Sequence, residues 1–328
     1  MLITPKVKCI AVAAAMLMVG CGAALAQSSA SYPNRPVHVI VSFPPGGSTD
    51  VIPRIVAQKL VELWGQPWVF ENRPGAGGQI AVSALLKAPA DGYTLLVGPS
   101  GAIVINPSLY KKLAYNPVKD LAPIVPLVRT PMVLIVPATW SGTVKDLIEQ
   151  SRAKPGQLTY GHGGNGTGMH LTGEMFKMIT GANLMPVPFK GTGATMAAVM
   201  GGQLDAGWVD CNTALIGLKG GKVRAIALAT MDPSSMLPDV PTVADSGFPG
   251  FDALTWFGFF APAGTPPDII NQLNAEVRKV LAMPDVRKRI QATCNEPWWS
   301  TPEQFGVFLR AEIVKWAKVV KQSGASAD

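Results

Sequence analysis

The sequence is poor in histidine and cysteine, the side chains that most often bind zinc or act as nucleophiles. It has 3 histidines and 4 cysteines in 328 residues, and no two cysteines form a Cys-x-x-Cys pair. Zinc sites need such residues clustered at short spacing, and Asp205 and Asp210 do not have the spacing of a calcium-binding loop. We therefore expect no metal site and no cofactor.

Charged residues are also scarce. They make up 15% of the chain, against 48% hydrophobic residues, which excludes a disordered protein and can fill real cores. The net charge of +7 is not concentrated in a basic run with interleaved aromatics, so nucleic acid is not an expected partner. A mild positive balance does favour small anionic ligands.

The usual signs of catalysis are missing. There is no Gly-x-Ser-x-Gly nucleophile elbow, and Ser48 and Ser100 have no base nearby in sequence. His38 falls inside a predicted strand, while His162 and His170 flank a loop, where a histidine more often packs or caps a helix. We predict that the protein is not an enzyme; an exported hydrolase that uses His170 is the weaker alternative.

The first 26 residues have the pattern of a secretory signal. Lys6 and Lys8 precede an apolar run at 9–25, and Ala24-Leu25-Ala26 predicts cleavage after Ala26. The run is shorter than the ~20 residues that span a bilayer. We therefore predict a soluble periplasmic protein with a mature charge of +5, two lysines below the full-chain value of +7. A lipoprotein signal at Cys21 is the alternative.

Removal of this segment would leave two cysteines, Cys211 and Cys294. In an oxidising compartment they could pair, but the sequence does not show whether the two lie within bonding distance. The pairing therefore stays open at this point.

Strand and helix patterns alternate along the rest of the chain, which predicts an α/β fold with largely parallel sheets. About 300 residues without a flexible linker suggest two domains that share crossing strands. We predict lobe I at 27–127 plus 255–328 and lobe II at 128–254, with a hinge where the chain crosses near Leu127-Val128 and Leu254-Thr255. Such lobes can close on a ligand.

Three glycine-rich loops are predicted to join the end of a strand to the start of a helix, at 43–50, 161–170 and 189–193. Glycines let backbone amides approach a ligand, and a helix N-terminus favours an anion. The first loop lacks the Lys-Ser/Thr ending of a nucleotide-binding P-loop. The alternative is a tight turn in which Ser48, Thr49 or Asp50 caps the helix.

Aromatic residues near the predicted cleft leave a further question open. Trp208 and Trp256 are expected in the core, although an aromatic wall formed by them with Phe43 would suit an aromatic carboxylate. Arg73 could reach a ligand, but a surface turn with a Glu71–Arg73 contact is the favoured interpretation.

The motifs resemble those of the Bug-type receptors that serve tripartite tricarboxylate transporters, and they cover the whole predicted mature chain in order. The matching segments are Tyr32-Pro33-x-Arg35-Pro36, Phe43-Pro-Pro-Gly-Gly-x-x-Asp50, Glu71-Asn-Arg-Pro-Gly-Ala-Gly-Gly78, Asp91-Gly-Tyr-Thr94, Asn106-Pro, Tyr115-Asn-Pro-x-Lys-Asp120, Gly164-Asn-Gly166, Leu237-Pro-Asp-Val-Pro-Thr242 and Phe260-Ala-Pro-Ala-Gly-Thr-Pro266. The resemblance implies a two-lobed periplasmic binding protein fold of type II, a small carboxylate ligand and membrane permease subunits as partners. A monomer is expected.

The resemblance also implies site residues drawn from both lobes. The residues expected to bind ligand are Phe43, Pro44, Gly46, Gly47, Asp50, Ser100, Asn165, Gly166, Thr167, His170, Gly191, Thr192, Trp208 and Asp210. One position departs from the family pattern, because Val209 stands where many relatives have an aspartate that binds amino or hydroxyl groups. We therefore expect a plain or aromatic dicarboxylate rather than an amino acid, with Asp210 as a possible substitute for that aspartate.

The sequence thus predicts a receptor that delivers a di- or tricarboxylate to a tripartite transporter. A receptor of the same fold that signals to a membrane sensor is the alternative, since nothing in the chain separates the two roles.

Overall fold

The computed structural model describes residues 32–327 and contains two β-sheets flanked by helices. The predicted signal segment, its cleavage site and the alternative lipoprotein site at Cys21 lie outside the described residues. All of the strands and helices given below lie within residues 36–327.

The first sheet has six strands. They are β1 (Val37–Val41), β2 (Trp68–Asn72), β3 (Thr94–Pro99), β4 (Leu121–Thr130), β10 (Thr255–Pro262) and β11 (Glu296–Pro297). Their order in the sheet is β11-β4-β10-β3-β1-β2. β1 runs parallel to both β2 and β3, whereas β10 is antiparallel to β3 and β4, and β11 is antiparallel to β4.

The second sheet has five strands. They are β5 (Met132–Pro137), β6 (Thr159–His162), β7 (Met185–Pro188), β8 (Ala206–Asp210) and β9 (Val223–Leu228). Their order in the sheet is β7-β6-β8-β5-β9. β6 is parallel to β7 and β8, and β5 is antiparallel to β8 and β9. Both sheets are therefore mixed and not mainly parallel as predicted. β5 and β10, the strands that follow the two crossings between the sheets, are each antiparallel to both of their neighbours.

Helices connect the strands and cover the sheets. They are α1 (Ser48–Trp64), α2 (Gln79–Leu85), α3 (Asn106–Leu109), α4 (Pro117–Asp120), α5 (Val144–Ala153), α6 (Gly168–Thr180), α7 (Thr192–Met200), α8 (Cys211–Lys219), α9 (Pro267–Ala282), α10 (Pro284–Gln291) and α11 (Pro302–Ser323), with a π-helical turn at Gly101–Ile105 and a 3-10 turn at Ala76–Gly78. Capping boxes at Thr143–Asp146 and Thr301–Gln304 fix the starts of α5 and α11.

β4 is a strand that the sequence pattern did not predict, because Pro123 and Pro126 interrupt it. Both prolines lie at register shifts of the β4–β10 pair, where the strand bulges and the missing N–H groups are tolerated. β4 continues through Leu127 and Val128, the site predicted for the first crossing, and the chain changes sheet only between Thr130 and Met132. The second change lies between Leu228 and Thr255.

The core contains most of the large aromatic side chains. Trp208 packs against Phe176 and Phe251 under the second sheet, and Trp256 packs against Phe260 and Phe305 under the first. Both tryptophans are fully buried, which removes both rings from any surface that a ligand could reach.

Cys211 and Cys294 form a disulfide with their Cα atoms 5.6 Å apart. Cys211 begins α8 beside the second sheet, and Cys294 precedes β11 of the first sheet. The structure therefore shows the pairing that the sequence left open.

Among the helices of residues 32–327, none is long and apolar enough to cross a membrane.

Candidate ligand-binding site

The loop between β1 and α1 presents unused backbone donors. Gly46 has φ +95°, a backbone conformation that favours glycine, and Gly47 is the N-cap of α1 without a side-chain cap. Within the described part of the chain, the amides of Gly47, Ser48 and Thr49 donate to no protein acceptor. A Cβ added at Gly47 would meet nothing within 4 Å, so open space lies in front of it. We call the residues 46–49 the first anion seat.

A charged network holds this loop from behind. Asp50 is 5% exposed, and its carboxylate accepts from Gly46 N at 3.1 Å, Arg54 Nε at 2.9 Å and Asn72 Nδ2 at 3.0 Å. Asn72 Nδ2 also donates to Phe43 O at 2.9 Å. Burial acts to raise the pKa of Asp50, but these hydrogen bonds and the charge of Arg54 outweigh burial and lower the pKa. Asp50 is therefore ionised, and its carboxylate already accepts hydrogen bonds from three donors of the protein.

The loop between β6 and α6 has the same character in the second sheet. Gly166 has φ +74°, and a Cβ there would lie 2.4 Å from the Leu109 side chain of α3, so both the backbone conformation and the close contact favour glycine. Among residues 32–327, no acceptor faces the amides of Gly163, Asn165, Gly168 or Met169. We call residues 163–169 the second anion seat.

Two stacked histidines hold this second loop. The His162 and His170 rings lie 4.4 Å apart with an interplanar angle of 27°. His170 Nδ1 accepts from Gly166 N at 3.1 Å, and His162 Nδ1 lies 3.0 Å from Gly164 O and 3.3 Å from Gly164 N. Burial and the neighbouring His170 lower the pKa of His162 to about 4, and burial also lowers the pKa of His170. Both rings are therefore neutral at pH 7.

The third loop leads from β7 into α7 and lies against the second. Gly191 N donates to Gly163 O at 3.3 Å, which joins the two loops. Over the described residues, the amides of Thr192, Gly193 and Ala194 have no protein acceptor. Thr192 Oγ1 donates instead to Asp210 Oδ2 at 2.7 Å. We call residues 192–194 the third anion seat.

Asp210 is the N-cap of α8 and has several partners. Its carboxylate accepts from Thr213 N at 3.0 Å, Thr213 Oγ1 at 2.8 Å and Thr192 Oγ1. These bonds occupy the carboxylate that the sequence offers in place of the aspartate of many relatives. Ser100 differs, because it is 4% exposed and its hydroxyl has no partner among residues 32–327.

The remaining predicted residues differ in exposure: some lie at the surface of the loops, and Trp208 is buried. Phe43 is 43% exposed at the rim of the first seat beside exposed Pro44, while Asn165 is exposed and Thr167 caps α6 by accepting from His170 N. Trp208, also expected to bind ligand, has no exposed surface and lies in the core.

Several residues near the seats were missed by sequence reasoning. Arg54 and Asn72 support the first seat, and Leu109 packs against the second. Arg54 lies one helical turn after Asp50, a spacing that could have pointed to it. The expected contact between Arg73 and Glu71 is confirmed at 2.8 Å. No group of His, Cys, Asp or Glu among the described residues could hold a metal ion.

The sequence matches the family described as "Tripartite tricarboxylate transporter family receptor" (TctC) over residues 52–325. The chain belongs to this family. TctC is a family of receptors and not of enzymes. The chain is also 38% identical over 306 residues to protein BugT of Bordetella pertussis, covering 93% of this chain and 94% of BugT. The resemblance to Bug-type receptors is thereby confirmed.

Solved structures support the same fold for this TctC receptor. An R. palustris protein solved with adipate is 33% identical, with a TM-score of 0.80 over 90% of this chain and 99% of its own. MatC from Rhodopseudomonas palustris with bound malate is 32% identical, with a TM-score of 0.75 over 88% of this chain and 100% of its own. The predicted two-lobed periplasmic binding protein fold is confirmed.

Proposed function

We propose that the protein is a periplasmic receptor that binds a small aliphatic di- or tricarboxylate between its two lobes and delivers it to the permease of a tripartite transporter. The observation that carries this proposal is the set of unused backbone amides at Gly47, Ser48 and Thr49, matched by unused amides at the second and third seats. Each set lies where a strand leads into a helix.

The physical basis is that a carboxylate needs several donors but no proton transfer. Three consecutive N–H groups at a helix start supply hydrogen bonds together with about half a positive charge from the helix dipole. Seats on two lobes suit a ligand with an anionic group at each end. Such a ligand binds the closed form better than the open one, and this difference in affinity drives closure.

The charges around the first seat are compatible with an anion. Asp50 lies beside the seat, but Arg54 and two further donors compensate its carboxylate. A ligand at this seat would therefore meet its backbone amides, whereas the Asp50 carboxylate is bound to Gly46, Arg54 and Asn72.

The packing favours an aliphatic ligand over an aromatic one. Trp208 and Trp256 lie in the core and offer no ring surface, which leaves Phe43 as an exposed aromatic beside the first seat. Adipate and malate, the ligands of the two solved structures, are aliphatic dicarboxylates. The periplasmic location rests on the family and on the predicted signal segment at 1–26.

Calorimetry and thermal-shift assays with adipate, malate, citrate and benzoate test this proposal. At a ligand concentration of 100 Kd, binding should add about 2.7 kcal/mol to the free energy of unfolding, which is about 4 °C in Tm for a chain of this size. Adipate, malate or citrate should stabilise the protein more than benzoate does. No binding by any aliphatic carboxylate would contradict the proposal.

The first seat is tested with Gly47→Val. Gly47 has φ −80°, which any residue adopts, and open space in front of it, so the fold should survive. The new side chain should block approach to the amides and weaken carboxylate binding at least a hundredfold. Gly220→Val is the matched control, since Gly220 is exposed, has φ −76° and ends α8 away from the seats. Unchanged affinity in Gly47→Val would show that the loop is only a strand-to-helix turn and does not bind the ligand.

A further inference from the structure

The disulfide adds a third connection between the two sheets. The backbone crosses twice, between Thr130 and Met132 and between Leu228 and Thr255. Cys294 lies next to β11, which pairs with β4 of the first sheet, while Cys211 directly follows β8 of the second. Cys294 also has φ +56°, a conformation that costs a non-glycine residue energy and persists only when its surroundings enforce it.

Asn295, next to this disulfide, ties the first crossing to the first seat. It is 1% exposed, and its Oδ1 accepts from Thr130 Oγ1 at 2.6 Å. Its Nδ2 donates to Ser48 Oγ at 3.1 Å and to Thr293 O at 2.7 Å. Ser48 supplies one of the unused amides of the first seat, so Asn295 anchors the seat without occupying its donors.

The second crossing belongs to the same cluster. Thr255 Oγ1 donates to Thr130 O at 2.8 Å, so the first residue of β10 is bonded to the last residue of β4. Asn295 therefore contacts, directly or through Thr130, both places where the chain passes between the sheets.

The other cysteine of the disulfide, Cys211, is connected to the third seat through its neighbour Asp210. Asp210 immediately precedes Cys211 and accepts from Thr192 Oγ1 at 2.7 Å. Thr192 supplies an unused amide of the third seat. A continuous series of bonds therefore runs from Ser48 through Asn295, the disulfide and Asp210 to Thr192.

We propose that Asn295 and the Cys211–Cys294 disulfide are positioning residues that set the spacing between the first and third anion seats. A hinge of two strands allows several directions of lobe rotation. The disulfide lies beside the first crossing, where Cys211 N donates to Pro131 O at 3.1 Å. As a third covalent attachment between the sheets it removes some of these directions, so that the seats approach each other at a fixed spacing. Restricting the free protein in this way reduces the cost of binding a ligand that bridges both seats.

This inference rests on the proposed function for its ligand, but one test needs no ligand. Val69 in the first sheet and Met185 in the second are both exposed. Each is replaced by an unnatural amino acid with a ketone, to which a spin label is attached. Pulsed electron paramagnetic resonance then measures the distance between the two labels, and so between the sheets. The double variant Cys211→Ser with Cys294→Ser should at least double the width of the distance distribution in the ligand-free protein. An unchanged width would overturn the proposal.

The binding test compares adipate with hexanoate, which has the same chain length but one carboxylate. The cysteine double variant should lose about tenfold in affinity for adipate and less than threefold for hexanoate, because only adipate depends on the spacing. Equal losses would show a general weakening and would overturn the proposal. If wild-type protein binds no carboxylate, the proposed function fails, while the spin-label distances still decide the positioning role.

Ser48→Ala provides a variant that keeps the disulfide and the seat amides. It removes only the hydroxyl that accepts from Asn295, whereas the control Thr49→Ala removes a neighbouring hydroxyl without a partner among the described residues. Ser48→Ala should broaden the distance distribution and Thr49→Ala should not. Combining Ser48→Ala with the cysteine double variant should give less than the sum of the two effects on adipate affinity, since both break the same path. Additive effects would refute the connection.

Discussion

The loop after β1 and the loop after β6 both leave backbone amides free, yet they are held by different kinds of side chain. Behind the first loop, the ionised carboxylate of Asp50 accepts from Gly46, Arg54 and Asn72. Behind the second, the neutral rings of His162 and His170 hold Gly164 and Gly166.

This difference has a physical consequence. A carboxylate with a lowered pKa keeps its charge throughout the range in which proteins are usually studied, so the first loop is insensitive to mild acid. A histidine in an unfolded chain titrates in that range, and Nδ1 of folded His170 stops accepting from Gly166 once it carries a proton. The two loops thus leave similar backbone donors free but respond differently to pH.

The largest predicted effect is on the pH dependence of stability. An unfolded histidine takes up its proton near pH 6.5, whereas folded His162 does so only near pH 4. The unfolded state therefore binds more protons as pH falls through this window, and the free energy of unfolding should drop by up to roughly 3 kcal/mol. Urea unfolding at intervals from pH 7 to pH 4 measures this drop.

The matched comparison is the variant His162→Asn with His170→Asn. An asparagine amide can keep a hydrogen bond to the loop but does not titrate, and effects from other groups, such as buried Glu312, are common to both proteins. The variant should show a much flatter profile between pH 6.5 and pH 4. An equally steep decline would show that other groups cause it.

A smaller effect is expected at the first loop. Asp50→Ala removes three hydrogen bonds to a charged acceptor, and because Arg54 is partly exposed we expect a loss of about 2 kcal/mol in the free energy of unfolding. The pKa of Asp50 is lowered, so its contribution is fully present above about pH 4 and is lost only below it. The difference from wild type should be constant between pH 5 and pH 8 in chemical denaturation.

Glu71→Ala is the control for Asp50→Ala. Glu71 makes an exposed ion pair with Arg73, and such pairs contribute little. Its unfolding free energy should lie within about 0.5 kcal/mol of wild type. A loss in Glu71→Ala as large as that in Asp50→Ala would remove the distinction between a supporting network and surface charge.

The smallest predicted effect concerns the helix start of the second loop. Thr167 Oγ1 accepts from His170 N and donates to Gly164 O at 2.7 Å. Thr167→Ala should cost about 1 kcal/mol as a lost N-cap, and Thr167→Ser should restore most of it. Thermal unfolding measures both. If the two variants are equally destabilised, the methyl group and not the hydroxyl supports the loop.

Local sequence patterns predicted much of the secondary structure, and their failures have local causes. A helix was expected after the loop at 161–170, and the helix at Gly168–Thr180 begins there, because its apolar spacing and flanking glycines are clear in the sequence. β4 was missed because Pro123 and Pro126 hide an alternating strand, and only the bulges in its pairing with β10 accommodate them. α8 was missed too, since its nine residues have few polar positions to show a helical period.

For the site, the sequence located the loops but not what holds them. Glycines that lie between a strand pattern and a helix pattern can be recognised in the sequence alone, so the loops at 43–50, 161–170 and 189–193 were predicted. Asn295 lies 247 residues from Ser48, and no pattern along the chain connects them. The state of the cysteines likewise depended on two segments of different sheets meeting at 5.6 Å.

The sequence by itself determined the alternation of strands and helices and the three places where backbone amides could be left free, because these depend on residue type and spacing alone. Only the tertiary structure decided which amides are unused, that Trp208 is core, and that a disulfide joins the sheets. Those properties depend on long-range contacts, and a long-range contact is set by the packing of whole sheets and helices rather than by its neighbours in the chain.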